Sequence, residues 1–172
     1  MNAYSDHKHS IFTQLRYDEI TITQLLCNLM IRCEQFQCEM MKLLSGGLWT
    51  SSQLSAKNIR TQQYLEGCGS ADILINKSGN SHDPSFMLIV EAKLTDSCAE
   101  TAHQKKGHYA DYLVRKGGGG FKRLVYLVPS TWIYEAIVKN RLATTNDVTT
   151  DLITWDSISS MMKVHAANLA IH

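Results

Sequence analysis

The chain has 172 residues, of which 44% are hydrophobic and 19% are charged. This length and composition predict a single folded domain with a real core and argue against disorder. No apolar run reaches the roughly 18 residues of a membrane span, and the polar first ten residues do not form a signal peptide. We therefore expect a cytoplasmic protein that has no membrane partner.

The cysteines narrow the class of protein further, whereas the overall charge does not. The five cysteines are odd in number and include no C-x-x-C pair, which favours free thiols over disulfides or a zinc ribbon. The net charge of +1 argues neither for nor against a nucleic-acid partner.

The first part of the chain predicts an arm followed by a helix. Residues 1–17 are polar and are interpreted as an N-terminal arm, with residues 18–172 forming one domain. From Asp18 to Leu44 apolar residues recur at helical spacing, which predicts one long amphipathic helix ended by Gly46 and Gly47. Residues 59–66 then read as a first strand.

A β-hairpin is predicted between Ala71 and Lys93. Its two apolar runs, residues 71–75 and 86–93, are separated by a segment rich in turn-forming residues. Successive strand residues point to opposite faces, so Glu91 and Lys93 share one face with Ile89. Asp72 lies across the hairpin from this pair if the polar ends of the two strands coincide.

Two carboxylates and an amine at one sheet end have a chemical use. Carboxylate oxygens suit Mg²⁺ or Mn²⁺, which polarises a phosphoryl group and activates water. A neighbouring lysine can hold that water and stabilise the negative charge that develops on the phosphate. The alternative is a salt bridge between Glu91 and Lys93 on a solvated face, which is common on strands.

The second half of the chain alternates helices and strands. We predict a helix from Thr95 or Asp96 to about Arg115, with Gln104 and His108 on one face. The glycines at 117–120 are interpreted as a flexible loop beside the active-site face, because a strand follows them rather than the helix of a phosphate-binding loop. Further elements are predicted as a strand at 123–128, a helix at 130–141, a strand at 151–155 and a C-terminal helix.

The helix at 130–141 has a predicted apolar stripe formed by Trp132, Ile133, Ala136 and Ile137. The complete element order, α-β-β-β-α-β-α-β-α, predicts a central mixed sheet flanked by helices.

Asp72, the hairpin, the run Glu91-Ala92-Lys93 and a following helix with a glutamine resemble the PD-(D/E)XK nuclease superfamily. Ala71 stands where the family's name has proline, and the resemblance covers roughly residues 20 to 130. It implies a restriction-endonuclease-like core of order α-β-β-β-α-β, here with a C-terminal α-β-α extension.

The resemblance also implies roles for particular residues. Asp72 and Glu91 would bind Mg²⁺ or Mn²⁺, Lys93 would assist the attacking water, and Gln104 would join the catalytic group. Members of the superfamily often add an acidic residue from the first helix. Glu34 and Glu39, on opposite flanks of the apolar stripe, are the candidates for that position.

A local excess of basic residues suggests where nucleic acid would bind. Residues 101–141 contain eight Lys and Arg but only two acidic residues, and such an excess favours phosphate binding. The predicted nucleic-acid-binding residues are Lys105, Lys106, Arg115, Lys116 and Lys122. Ordinary solvated helix ends are the alternative explanation.

Three functional hypotheses follow. The first is a Mg²⁺- or Mn²⁺-dependent nuclease that hydrolyses phosphodiester bonds, with DNA as the expected partner. The second is a catalytically inactive relative that binds nucleic acid or a protein, and the third is an unrelated α/β domain with a surface ion pair.

A homodimer, or a subunit of a larger assembly, is also expected, because cutting both strands of a duplex needs two sites. The candidate apolar surface for a homodimer consists of Trp132, Tyr134, Trp155, Met161 and Met162. Packing in the core is the alternative, and it explains most of these residues equally well.

Overall fold

The computed structural model describes residues 19–49, 54–79, 85–100, 108–142 and 148–169. The predicted arm at residues 1–17 lies outside these ranges, as do Gln104, Lys105 and Lys106. The other residues predicted to form the site lie within them.

Five helices and five strands, with one short 3₁₀ turn at Ala56–Asn58, make up the described chain. The helices are α1 (Glu19–Arg32), α2 (Glu34–Leu44), α3 (His108–Lys116), α4 (Glu135–Leu142) and α5 (Trp155–Leu169). The strands are β1 (Ile59–Leu65), β2 (Gly69–Lys77), β3 (Phe86–Ala92), β4 (Phe121–Val128) and β5 (Thr149–Thr154).

The strands form one mixed sheet in the order β1-β2-β3-β4-β5. The pairs β1/β2 and β2/β3 are antiparallel, whereas β3/β4 and β4/β5 are parallel. The predicted hairpin and the predicted mixed sheet flanked by helices are therefore confirmed. Because β2 and β3 are antiparallel, the start of β2 lies at the same end of the sheet as the carboxyl end of β3.

Two hydrophobic layers hold the helices against the sheet. On one face, α1, α2 and α5 contribute residues such as Leu26, Met40 and Ile158 to a cluster with the sheet. On the other face, α3 and α4 contribute residues such as Leu113 and Val138. The alternation of side chains along β3 sends Leu88 and Val90 to the first layer and Ile89 to the second, so the hairpin is buried on both sides.

The long first helix that the sequence predicts is instead two helices, α1 and α2, separated at Cys33. Cys33 has an extended backbone, with φ −122° and ψ 103°. The break is stabilised by the buried Gln37 side chain, whose amide donates to the carbonyls of Met30 at 2.8 Å and Leu54 at 2.9 Å. Periodicity alone could not reveal this break, because the apolar stripe continues across it.

The prediction of a helix that begins at Thr95 or Asp96 is wrong. Residues 93–100 are irregular, and α3 as described begins only at His108. Hydrogen bonds with the loop after β4 hold this segment: Trp132 Nε1 donates to the Cys98 carbonyl at 2.8 Å, and Thr131 Oγ1 donates to Asp96 Oδ1 at 2.6 Å. The bond from Thr131 uses the Asp96 side chain that would have capped the predicted helix.

The apolar stripe predicted for the helix at 130–141 is also wrong. Helix α4 begins at Glu135, after a turn at residues 130–134. Trp132 is buried, whereas Ile133 and Ile137 are 65% and 63% exposed. Ile133, which lies in this turn, is therefore at the surface, and Val138 of α4 packs against the sheet.

The large residues predicted to form a dimer surface belong mainly to the core. Trp132 is only 3% exposed, and Tyr134 packs beside it in the layer under α3 and α4. Trp155, Met161 and Met162 are partly buried against the opposite layer. These residues therefore do not form the exposed apolar surface that we predicted.

The glycine loop lies away from the acidic end of the hairpin. Phe121, which follows the loop, pairs with Phe86 at the start of β3, whereas Glu91 is near the end of that strand. Gly120 packs so closely against Ser85 that a Cβ atom would collide with the Ser85 carbonyl. The loop is therefore not beside the site, and its last glycine has a packing role.

All five cysteines lie in described ranges and none forms a disulfide, as predicted. In the part of the chain that the structure describes, no helix is both long and apolar enough to cross a membrane.

Candidate active site

The structure brings Asp72, Glu91 and Lys93 together at one end of the sheet. The β2/β3 register pairs Ile73 with Val90, and one further step places Asp72 opposite Glu91. All three charged residues are buried, with exposed fractions of 8% for Asp72 and 4% for both Glu91 and Lys93. Charged side chains are rarely buried without partners, so the contacts of each one matter.

Glu91 and Lys93 form a buried ion pair rather than a solvated one. Lys93 Nζ donates to Glu91 Oε1 at 2.8 Å. The alternative of a salt bridge on a solvated face is therefore wrong. Taking both groups out of water carries a desolvation cost that their attraction only partly offsets, so stability alone is a weak reason for this arrangement.

The backbone of Lys93 is held from two sides just beyond the end of β3. Its N–H donates to the Leu127 carbonyl of β4 at 2.8 Å. Its own carbonyl accepts a hydrogen bond from the indole of Trp155, the first residue of α5, also at 2.8 Å. The lysine thus projects from a rigid position, although it lies outside the strand itself.

Both oxygens of the Asp72 carboxylate accept hydrogen bonds from the protein. Oδ2 accepts the backbone N–H of Ala92 at 2.7 Å, and Oδ1 accepts the side-chain amide of Gln62 at 3.0 Å. The Ala92 N–H would pair with a backbone carbonyl if the β2/β3 ladder continued. The carboxylate of Asp72 replaces that carbonyl at the point where the ladder ends.

Glu19 is a fourth charged residue at this site, and it was not predicted from the sequence. It is the first residue of α1, and its partly buried carboxylate lies near Leu94 and Cys98. It also interacts electrostatically with Lys93 and Asp72. The site therefore combines three acidic residues with one lysine.

The candidates for an acidic residue from the first helix were Glu34 and Glu39, whereas the acid found at this cluster is Glu19. Those two residues lie on α2, beyond the break at Cys33, and Glu34 is exposed. A signal for Glu19 was present in the sequence, because it precedes Ile22 and Leu26 at helical spacing and so lies on the buried stripe of α1. An acidic residue aligned with a buried stripe is unusual.

The crowding of acidic groups changes their proton affinities. Burial, and then the charge of Asp72, raises the pKa of Glu91 to about 7, although Lys93 acts in the opposite direction. Burial likewise raises the pKa of Glu19. Burial is the largest single effect on Lys93 and by itself would lower its pKa. Its attraction to Glu91, Glu19 and Asp72 together outweighs burial and raises the pKa, so the amine stays charged.

The site contains the carboxylates of Asp72, Glu91 and Glu19 and the single ammonium group of Lys93. Carboxylate oxygens are chemically suited to bind a hard divalent cation. In the described ranges, no three His, Cys, Asp or Glu side chains form a group that could hold a metal ion as they stand. Glu91 Oε1 is bound to Lys93 and the Asp72 oxygens accept protein hydrogen bonds. A cation would therefore have to compete with some of these contacts.

A further buried acid, Glu100, is bonded to a residue of β4. Tyr126 pairs with Glu91 in the parallel β3/β4 register and is fully buried. Its hydroxyl donates to Glu100 Oε1 at 2.7 Å, and Glu100 is 7% exposed. Glu100 lies in the segment that the sequence predicts as helix, so its contact with Tyr126 is a result of tertiary folding.

The basic residues predicted to bind nucleic acid do not all lie near the acidic cluster. Arg115 donates to the Glu66 carbonyl in the β1/β2 turn, at the Asp72 end of the sheet. It lines an open cavity of about 490 Å³ with Gly67, Cys68, His108, Asp111 and Val114. Lys122 pairs with Met87, four residues before Glu91 and about 13 Å from it along the strand. Lys116 is exposed at the end of α3.

Fold and site together define an α+β protein whose five-stranded mixed sheet carries a buried cluster of acids and one lysine at its edge. No family model matches the chain, and it has no significant match among curated proteins or solved structures.

Proposed function

We propose that the chain is a Mg²⁺- or Mn²⁺-dependent nuclease of the PD-(D/E)XK type that hydrolyses phosphodiester bonds of DNA. The element order around the hairpin, α-β-β-β-α-β, supports a restriction-endonuclease-like core once α1 and α2 are counted as one interrupted helical segment. The site, rather than the fold, carries the functional argument, because one fold can host many activities.

The observation that carries the proposal is the excess of buried acid at the sheet end. Asp72, Glu91 and Glu19 interact with one another and with a single lysine, Lys93. If all three acids are ionised, the cluster has more negative than positive charge, which a proton or a cation would neutralise. Carboxylates so grouped are the ligands that Mg²⁺ and Mn²⁺ prefer.

In this proposal each residue has a distinct role. Asp72 and Glu91 would hold the cation, with Glu19 as a third carboxylate. The bound cation would neutralise charge on the phosphate and make a water molecule more acidic. Lys93, which is kept charged by the surrounding acids, would orient the attacking water and stabilise the negative charge that develops on the phosphate oxygens.

The test separates cation binding from turnover. Asp72→Asn keeps the size of the side chain but removes its charge, so we expect it to weaken Mn²⁺ binding in calorimetry and to abolish cleavage of DNA oligonucleotides. Lys93→Met should still bind Mn²⁺ but lose cleavage, because the amine acts in the transition state. Lys57→Met, at an exposed lysine outside the cluster, is the matched control.

Two results would contradict these roles. Undiminished cleavage by Asp72→Asn and Lys93→Met would remove the acidic cluster from catalysis. A Lys93→Met variant that cleaves normally but no longer binds Mn²⁺ would reverse the proposed division between the lysine and the carboxylates.

The second candidate is an inactive relative that binds nucleic acid or a protein partner. It is favoured by one observation: Lys93 Nζ is engaged by Glu91, and both Asp72 oxygens already have protein donors. DNA binding that needs no divalent cation, together with no cleavage of single- or double-stranded oligonucleotides in Mn²⁺, would select this candidate over the nuclease.

A further inference from the structure

We infer that Gln62 is a positioning residue that holds the Asp72 carboxylate in place for the cation, an inference that rests on the proposed function. Gln62 is in β1, directly across from Asp72 of β2, and its Nε2 donates to Asp72 Oδ1 at 3.0 Å. The sequence gives no local sign of this role, because a glutamine in an edge strand carries no motif.

The backbone of Gln62 is the first reason to assign it a specific role. Its φ is +49°, and it is the only residue other than glycine with a positive φ among those the structure describes. Glutamine has no special tolerance for this left-handed region, unlike glycine or asparagine. Unfavourable backbone of this kind persists where surrounding contacts impose it, and it concentrates at functional sites.

The second reason is that the regular pairing of β1 with β2 is interrupted at this position. The β1/β2 register includes Thr61 with Ile73 and Gln63 with Ala71, but not Gln62 with Asp72. Leu65 is six positions after Ile59, so a regular strand would place both on one face. Instead Ile59 packs in the layer under α1 and α2, and Leu65 packs in the layer under α3.

Strand β2 changes face at the same place. Ala71 and Ile73 are two residues apart, yet they pack in opposite layers. Because the irregular pair lies between a regular pair on each side, the distortion is confined to the position that carries the Asp72 carboxylate. The two strands are paired on both sides of this position, and only this position is missing from the ladder between them.

The third reason is the chemistry of the hydrogen bond. Gln62 and the Ala92 N–H each occupy one oxygen of Asp72, which fixes the plane of the carboxylate. An ionised carboxylate has about four lone-pair sites, so acceptor capacity remains for a cation. A lysine or arginine would compete with the cation for the negative charge of the carboxylate, whereas a neutral amide orients the carboxylate without doing so. Such outer partners commonly tune metal affinity.

Three variants test the assignment, with the Mn²⁺ dissociation constant and the thermal unfolding midpoint both measured on the full chain. Gln62→Met keeps the length of the side chain but lacks the amide. Gln62→Asn keeps an amide that is one methylene too short, on a residue that adopts positive φ more readily. Gln63→Met, at the neighbouring residue whose amide donates to the Tyr64 carbonyl, is the matched control.

We expect both Gln62 variants to bind Mn²⁺ roughly 10- to 100-fold more weakly than the wild type, with Gln63→Met unchanged. We also expect Gln62→Asn to unfold at a temperature no lower than Gln62→Met. A purely structural role would lower the unfolding midpoint without a selective loss of Mn²⁺ affinity, and that result would overturn the inference.

The experiment also distinguishes this inference from the proposed function. If the wild type binds Mn²⁺ and Gln62→Met binds it equally tightly, the positioning role alone is overturned. Failure of the wild-type chain to bind Mn²⁺ overturns the metal site, and the positioning role with it.

Discussion

Replacing Glu91 with glutamine should remove a large part of the pH dependence of stability. The pKa of Glu91 is about 7 in the folded chain, against an ordinary value of 4.5 that we take for the unfolded chain. Below pH 4.5 both states hold the proton, whereas between pH 4.5 and 7 only the folded state does. The folded state then binds more protons, so the free energy of unfolding falls as the pH rises.

The size of this fall follows from the same two values. A tenfold change in proton affinity corresponds to about 1.4 kcal/mol, so a pKa of about 7 in place of 4.5 predicts a loss of about 3 kcal/mol. Glu91→Gln has no proton to release. It leaves Lys93 without its carboxylate partner, and Glu19 and Asp72 are then the groups that favour the charged amine against its burial. With the amine charged from pH 4.5 to 7, the resulting change in stability should be nearly independent of pH.

Urea unfolding of the wild type and Glu91→Gln at a series of pH values measures this difference. We expect the two stability curves to converge or cross as the pH rises from 4.5 to 7, since only the wild type loses the Glu91 contribution. Glu34→Gln, which changes an exposed acid of α2, is the control and should run parallel to the wild type. Parallel curves for Glu91→Gln would refute the argument from burial.

Two further predictions concern the helix break and the basic segment. Gln37→Met should lower the free energy of unfolding by about 3 kcal/mol in urea titrations, because the buried Met30 carbonyl and the Leu54 backbone groups lose their hydrogen bonds. A loss well below about 1 kcal/mol would show that the break does not depend on this amide. Changing Lys105 and Lys106 to glutamate should weaken DNA binding and reduce the slope of log affinity against log salt by roughly one unit for each phosphate that the protein no longer neutralises. An unchanged slope would place the binding face elsewhere.

The hairpin could be predicted because its signals are local. Two short apolar runs around a polar turn indicate paired strands, and a period of two places Glu91 and Lys93 on one face wherever the strand lies. The register then followed from matching the polar ends, and it brings Asp72 opposite Glu91 as expected. The sequence also indicated the mixed sheet, since strands and helices alternate after the hairpin.

Features that depend on distant contacts could not be predicted in this way. The continuous apolar stripe concealed the break at Cys33, because the break is stabilised by the Gln37 side chain bonded across to Leu54. The irregular segment after Lys93 is likewise held by hydrogen bonds from residues more than 30 positions away, which outweigh a local preference for helix.

The sequence by itself determined that an acid and an amine two residues apart project to one side at the end of the hairpin, because side-chain alternation is a local property of a strand. Only the tertiary structure decided which other groups surround them. Packing of α1 against the sheet brings Glu19 to the cluster, and the left-handed backbone at Gln62 directs an amide to Asp72. Burial then sets the charge of Glu91, and burial depends on all the elements that exclude water from the sheet end.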